Sequence, residues 1–195
     1  MQKIILATTS PYRQEAFGFL DLDFIAEGSN VDEKFEGRPD NPEKLVKHLA
    51  KLKAESVASS HKEGIVIGFD SVGWFEGEIL EKPESKDEAF DRLKKLSGNN
   101  FQFYTGIHII NLDNDKIISE VSTTDIATRE LDDSEIKKYL NQDEKYVTYA
   151  LGFDPWGYYS STFAKEIKGS YNNFLRGIPL EKIVELLKEI GYEIN

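Results

Sequence analysis

Short apolar runs alternate with helix-type segments along the first half of this chain. Lys3–Ala7 and Ile65–Phe69 are continuous, β-rich runs of the kind that form buried strands. Two segments between them predict helices, one that begins at Ser10-Pro11 and one that begins at Pro42 after a polar loop. Two longer runs in the second half, 101–112 and 116–127, flank Asp113-Asn114-Asp115 and predict a hairpin. This order predicts an α/β fold with a mixed central sheet and helices.

The composition is that of one globular domain over residues 1–195. No linker, repeat or low-complexity tract divides the 195 residues, of which 39% are hydrophobic and 30% charged. The apolar runs are far shorter than the roughly 20 residues that span a bilayer. The first residues lack the apolar region and cleavage site of a signal peptide. The chain has no cysteine, which excludes disulfides and thiolate chemistry. We therefore expect a cytoplasmic protein without a membrane partner.

The net charge of −11 argues against nucleic-acid binding. A surface this acidic repels a phosphate backbone, whose binding depends on many lysine and arginine contacts. A small phosphorylated ligand remains compatible with the charge if a few cations are focused at one place. Such cations should stand near glycine turns or helix starts.

One candidate anion site is the turn from Ala7 to Arg13. A strand leads there into Ser10, which suits the N-cap, and Pro11, which suits the first helical position. Free backbone N–H groups and the helix dipole favour a phosphate at such a start, and Arg13 adds a charged fork. The alternative is a capped surface helix that carries an arginine.

Four more charged residues stand at unusual positions. Lys53 lies within the apolar stripe of its predicted helix, so it points into a cleft or extends to the rim of the core. Asp70 follows the strand Ile65–Phe69, where a carboxylate can hold a cation, act as a base or cap a turn. Glu33 is either a second oxygen ligand for a cation or a solvated acid in a loop. Lys82, before Pro83, either contacts a bound substrate or lies in a surface turn.

Taken in order, short motifs across nearly the whole chain resemble the signature of the Maf family. The first half contributes Leu6-Ala7-Thr8-Thr9-Ser10-Pro11-Tyr12-Arg13, Val31-Asp32-Glu33, Leu49-Ala50 with Lys53-Ala54, and Asp70-Ser71-Val72. The remainder contributes Gly77-Glu78-Ile79 with Lys82-Pro83, Ser97-Gly98, Phe103-Tyr104-Thr105-Gly106, Gly169-Ser170 with Asn173, and Gly177-Ile178-Pro179-Leu180. No single motif identifies the family, but the whole set in this order and at this spacing is a poor match to chance and favours the family.

The resemblance implies a two-lobed, Maf/ITPase-like α/β structure around a cleft. It also implies hydrolysis of a nucleoside triphosphate to a monophosphate and pyrophosphate with Mg²⁺ or Mn²⁺, and it is compatible with a homodimer. The functional positions of the family fall on Ser10, Arg13, Glu33, Lys53, Asp70 and Lys82. On chemical grounds, the three cations and the Ser10 helix start would clamp the triphosphate. Glu33 and Asp70 would hold the metal, and Asp70 would activate water.

Three positions depart from the family pattern. Tyr12 replaces a frequent second arginine, Ser71 replaces a frequent threonine, and Trp156 replaces the Gln or Glu that usually precedes the glycine aligned with Gly157. Tyr12, the run Phe103-Tyr104-Thr105-Gly106 and the spacing from Ala150 to Pro179 resemble the 7-methyl-GTP branch of the family more closely than the dTTP/UTP branch. Tyr12 and Trp156 are candidate substrate-binding residues, because aromatic rings at the base site would favour a cationic purine. A dTTP/UTP pyrophosphatase remains an alternative. Loss of the polar group at position 156 also keeps open a catalytically weak nucleotide-binding regulator of cell division.

Overall fold

The computed structural model describes residues 2–194 and confirms an α/β fold with a mixed sheet. Its helices are Pro11–Gly18 (α1), Pro42–Ala58 (α2), Lys86–Leu96 (α3), Asp133–Gln142 (α4), Tyr171–Arg176 (α5) and Leu180–Glu189 (α6). Its strands are Ile4–Ala7 (β1), Phe24–Glu27 (β2), Ile65–Phe75 (β3), Glu78–Leu80 (β4), Asn100–Asn111 (β5), Lys116–Thr128 (β6) and Ala164–Lys168 (β7).

The sheet combines parallel and antiparallel pairs. Its strand order is β2-β1-β3-β5-β6-β7, and β4 pairs with β3 outside this path. Strand β1 runs parallel to both β2 and β3, whereas β3 with β4 and β6 with β7 are antiparallel. None of the helices within the described residues is both long and apolar enough to cross a membrane.

The chain forms two compact units, each with its own apolar core. The first unit contains residues 2–71, 105–122 and 176–194, and the second contains residues 72–104 and 123–175. In the first unit, β1, β3 and β5 pack against α1 and α6 through fully buried residues such as Ile4, Phe17 and Ile183. In the second unit, α3 and α4 enclose an aromatic-rich core that includes Phe101 and Tyr139.

The structure differs from the sequence-based prediction at three elements. Strand β3 does not end before Asp70 but continues to Phe75, because Gly73, Trp74 and Phe75 pair with β4. Asp70 is therefore an interior residue of the strand. Strand β7 and helix α5 were not predicted, since the charged sequence of β7 lacks an apolar run and α5 has only six residues.

Two glycines allow α2 to lie directly against the sheet. A Cβ atom at Gly68 on β3 would lie 2.2 Å from the carbonyl oxygen of Ala50 and 2.7 Å from the backbone nitrogen of Ala54. A Cβ atom at Gly106 on β5 would lie 2.1 Å from the carbonyl oxygen of Val46. Real side chains do not tolerate such distances, so both positions require a residue without a Cβ atom.

We expect Gly68→Ala and Gly106→Ala to destabilise the protein by at least about 3 kcal/mol, the upper part of the range for overpacked sites. The obstructing atoms belong to the helix backbone, which can yield only by moving α2. The measurement is the free energy of unfolding in urea. Gly18→Ala is the matched control, because Gly18 lies at the end of α1 with nothing within 4 Å of its Cβ direction. A Gly68→Ala protein as stable as Gly18→Ala would contradict the close approach of α2.

Candidate active site

The turn between β1 and α1 is shaped by two hydroxyl groups. Ser10 has an extended backbone, and its side chain accepts a hydrogen bond from the backbone N–H of Arg13 at 3.4 Å. The backbone N–H of Ser10 itself donates to the hydroxyl of Thr8 at 3.1 Å. Ser10 is therefore the N-cap that the sequence predicts, and Pro11 occupies the first turn of the helix. This cap fixes the direction in which α1 presents Arg13.

Arg13 is held rigidly by hydrogen bonds from two edges of its guanidinium group. Its Nε donates to the carbonyl oxygen of Gly177 at 2.9 Å, and one terminal nitrogen donates to Ser71 Oγ at 2.7 Å. Ser71 Oγ is in turn 2.7 Å from the hydroxyl of the fully buried Thr105. The guanidinium carbon also lies 5.7 Å from the centre of the Phe69 ring. These contacts leave little rotational freedom to a cation that sits at a helix start.

The charge on Arg13 persists despite burial. Desolvation lowers the pKa of Arg13 below its usual value, while the nearby carboxylates of Asp70 and Glu33 raise it. An arginine side chain does not lose its proton under physiological conditions. Arg13 therefore supplies a fixed positive charge that lies within electrostatic range of two carboxylates.

Lys53 joins those two carboxylates. Its Nζ is 2.7 Å from Asp70 Oδ1 and also 2.7 Å from Glu33 Oε1. The Lys53 side chain is only 13% exposed, so it does not extend along the core to solvent. The close approach at Gly68 explains this position, since Gly68 contacts Ala50 and Ala54 on either side of Lys53 and Asp70 follows two residues later on the same face of β3.

The pKa of Asp70 is raised above 3.8, and burial is the main cause. Asp70 is 6% exposed, and desolvation disfavours its charged form. The charge and hydrogen bond of Lys53 act in the opposite direction, as does the charge of Arg13, while Glu33 adds to the increase. A buried carboxylate with a raised pKa and two cations nearby is a common feature of catalytic sites.

The structure brings together five of the sequence-predicted residues in the first unit: Ser10, Arg13, Glu33, Lys53 and Asp70. Tyr12, also in this unit, is half-buried beside Arg13 on α1. Lys82 and Trp156 belong to the second unit. Lys82 is exposed in the loop after β4. Trp156 is 57% exposed rather than part of a core, and its ring meets that of Tyr171 edge-on at 6.4 Å.

Sequence reasoning missed the groups that hold Arg13 in place. Ser71, Thr105 and the carbonyl oxygen of Gly177 all lie within quoted motifs, but no role was assigned to them. Serine at position 71 supplies the acceptor for Arg13 that threonine would also offer. The only sequence signal was the position of Ser71 directly after Asp70.

Glu33 and Asp70 fit a divalent cation of the Mg²⁺ class. They present hard oxygen ligands, and one oxygen of each lies 2.7 Å from the same nitrogen atom of Lys53. Among residues 2–194, no three His, Cys, Asp or Glu side chains form a metal-binding group. Mg²⁺ is usually held by one or two carboxylates together with water and substrate phosphates, so two carboxylates suffice for such a site.

Comparison with known proteins extends these observations. A family model described as Maf-like protein matches residues 3–190. A 7-methyl-GTP pyrophosphatase from Colwellia psychrerythraea is 36% identical, over 100% of this chain and 96% of the relative. A dTTP/UTP pyrophosphatase from Ruminiclostridium cellulolyticum is 32% identical, over 100% of this chain and 99% of the relative. A second dTTP/UTP pyrophosphatase, from Syntrophus aciditrophicus, is 35% identical, over 97% of this chain and 91% of the relative.

A solved structure of the Staphylococcus aureus Ham1 protein overlaps 66% of this chain and 73% of its own, with a TM-score of 0.47 and 18% identity, which is too partial a likeness to bear on function. The family match and the relatives, in contrast, extend over almost the entire sequence. They confirm the family resemblance that the ordered motifs of the sequence indicated. This chain belongs to the Maf family.

Proposed function

We propose that this protein hydrolyses a nucleoside triphosphate to a nucleoside monophosphate and pyrophosphate. The observation that carries the proposal is the placement of Lys53 between Glu33 and Asp70, within electrostatic range of the braced Arg13. A triphosphate requires several cations, and its hydrolysis requires a base near the phosphorus. Relatives named as nucleotide pyrophosphatases over the length of the chain support the same reaction.

In the proposed reaction, water attacks the α-phosphorus and the bond from that phosphorus to the α–β bridging oxygen breaks. Asp70 accepts the proton of the attacking water, for which its raised pKa suits it. Arg13, fixed by Ser71 and Gly177, stabilises charge on the phosphate oxygens. Lys53 can exchange its carboxylate contacts for the phosphates of the leaving pyrophosphate, because an ammonium group on a flexible stem adapts to new partners.

A divalent cation held by Glu33 and Asp70 would neutralise phosphate charge in this site. Lys82 and the Ser10 helix start are proposed as further phosphate contacts. These assignments follow from the chemistry of the side chains and from the family motifs. In this proposal, the cations and the helix start bind phosphate, and the Asp70 carboxylate accepts a proton.

For the base of the substrate, we propose a 7-methylated purine, with dTTP or UTP as the alternative. Both kinds of enzyme occur among relatives at 32–36% identity, so identity does not separate them. Tyr12, next to Arg13, favours the methylated purine, because a delocalised positive charge gains from an aromatic face. Trp156, exposed in the second unit, was predicted from the sequence to act in the same way.

The reaction can be tested by hydrolysis in H₂¹⁸O with Mg²⁺. We expect ¹⁸O in the monophosphate and none in the pyrophosphate, because water attacks the α-phosphorus. Asp70→Asn should lower kcat by roughly 10²–10⁴-fold through loss of the base. Mass spectrometry of the products and stopped-time kinetics provide the two readouts. Asp91→Asn, an exposed aspartate on α3, is the matched control and should retain activity.

The free energy of unfolding of Asp70→Asn, measured against pH, shows whether this variant is folded and how the Asp70 carboxyl group affects stability. Because the pKa of Asp70 is raised in the folded state, the carboxyl group favours folding at low pH and loses that contribution as pH rises through its folded pKa. Asp70→Asn should therefore gain stability relative to the wild type as pH rises above about 4. Near wild-type turnover of this variant, or label in the pyrophosphate, would contradict the mechanism.

Substrate choice can be tested with a panel of 7-methyl-GTP, GTP, dTTP and UTP. We expect the highest kcat/KM for 7-methyl-GTP, and we expect Tyr12→Ala to reduce that preference several-fold because a cation–π contact contributes about 0.5–2 kcal/mol. Tyr12→Phe is the control, since it keeps the ring. A higher kcat/KM for dTTP or UTP would refute this specificity and leave the pyrophosphatase proposal intact.

A further inference from the structure

The segment between β2 and α2, residues 28–41, carries Glu33 and is called the Glu33 loop below. None of these residues, all of which the structure describes, lies in a helix or strand. Connections within a compact domain usually have about 4–6 residues, and longer irregular ones are typically functional or disordered. A loop of this length needs specific contacts if it is to hold a carboxylate in one place.

The Glu33 loop contacts α2 through two neighbouring side chains. Glu33 Oε1 lies 2.7 Å from Lys53 Nζ. Two residues further along the loop, the ring of Phe35 meets the imidazole ring of His48, with 5.2 Å between the ring centres and 51° between the ring planes. This separation is within the range of attractive aromatic pairs. The loop therefore makes one charged and one aromatic contact with the same helix.

The aromatic contact is the better candidate for holding the loop. The Glu33 side chain is 51% exposed, and an ion pair in contact with solvent contributes little to order. Phe35 is half-buried, whereas its neighbours Lys34 and Glu36 are exposed. Apolar contact also does not depend on the position of Lys53. The ring contact can therefore hold the loop even when the ammonium group turns to another partner.

Two hydrogen-bonded turns give the loop a defined shape around these contacts. The backbone N–H of Lys34 donates to Asp32 Oδ1 at 2.9 Å, and that of Arg38 donates to the carbonyl oxygen of Phe35 at 3.3 Å. Gly37 has a φ of 77°, as the third residue of some β-turns requires. The first turn encloses the acid, and the second begins at the aromatic residue. A displacement of the Phe35 ring is thus transmitted to the acid through a short, ordered backbone.

We infer that Phe35 and His48 are positioning residues for Glu33: their ring contact anchors the Glu33 loop on α2 and presents the Glu33 carboxylate to a divalent cation. Neither residue was assigned a role by the sequence motifs or by the reaction chemistry. The catalytic consequence rests on the proposed function, whereas the anchoring of the loop does not.

The anchoring is tested by hydrogen exchange of the full chain without metal or nucleotide, resolved by NMR. Phe35→Ala should raise the exchange rates of the Lys34 and Arg38 amides by about two- to twelvefold, the effect of one aromatic contact, and leave those of β1 unchanged. Phe35→Tyr keeps the ring and should exchange as the wild type does. Phe19→Ala is the matched control, because Phe19 is 73% exposed just after α1.

The partner residue gives a rescue experiment. His48→Ala should raise the same exchange rates as Phe35→Ala, because it removes the other ring of the pair. His48→Phe should restore wild-type exchange, because it replaces imidazole by another aromatic ring. Failure of His48→Phe to restore protection, when His48→Ala has lost it, would show that the ring contact is not the anchor. Circular dichroism checks that each variant is folded.

The presentation of Glu33 is tested by binding of Mn²⁺ to the nucleotide-free protein, followed by electron paramagnetic resonance. Phe35→Ala should weaken binding by about two- to twelvefold. Glu33→Gln should weaken it at least as much, and the combined variant should bind no more weakly than Glu33→Gln, because both changes act through the same carboxylate. In hydrolysis, Phe35→Ala should raise the Mg²⁺ concentration required for half-maximal activity and retain kcat at saturating Mg²⁺.

Several results would overturn the inference. They are exchange rates in Phe35→Ala equal to those in Phe19→Ala, an absence of Mn²⁺ binding by the wild type, or additive effects of Phe35→Ala and Glu33→Gln on Mn²⁺ affinity. A protein that hydrolyses no triphosphate but shows the expected exchange and Mn²⁺ binding would refute the proposed function alone. Conversely, an active enzyme in which Phe35→Ala behaves as Phe19→Ala does would refute the positioning role alone.

Discussion

The compensation of the buried Asp70 carboxylate by Lys53 is the interaction on which the rest of the site depends. Burial of an unpaired carboxylate costs several kcal/mol, and an ammonium group at 2.7 Å offsets that cost. The same nitrogen also lies 2.7 Å from Glu33, so one cation holds two acids near each other. This arrangement requires α2 to lie directly against β3 and β5, which the glycines at positions 68 and 106 permit.

The two cations of the site differ in how they are held. Arg13 has protein acceptors on two edges of its guanidinium group, and Ser71 is itself bound to the buried Thr105. Lys53 contacts two carboxylates, and one of them, that of Glu33, is half-exposed. A fixed cation can orient phosphate, whereas an exchangeable one can follow the charge as it moves to a leaving group. Arg13 is therefore suited to orient the phosphates, and Lys53 to follow the charge that develops on the leaving group.

The sequence predicted the elements whose local signals are strong. The Ser10 cap agrees with the structure, and Lys53 stood out because a lysine is unusual in an apolar stripe. The continuation of β3 beyond Asp70 was not predicted, because it depends on pairing with β4 and no continuous apolar run in the sequence marks it. The sharing of Lys53 by Glu33 and Asp70 was also beyond sequence reasoning, since it depends on packing between distant segments.

The most direct test of this account compares Lys53→Ala with Lys51→Ala. Lys51 lies on the same helix, is 52% exposed and pairs with Glu55 in a surface ion pair. Loss of Lys53 should lower kcat/KM for a triphosphate by more than about tenfold, or about 1.4 kcal/mol. It should also move the acid limb of the pH–rate profile to higher pH, because the charge of Lys53 lowers the pKa of Asp70. Lys51→Ala should change neither quantity. A Lys53→Ala enzyme with a lower melting temperature but unchanged kinetics and pH profile would contradict the account.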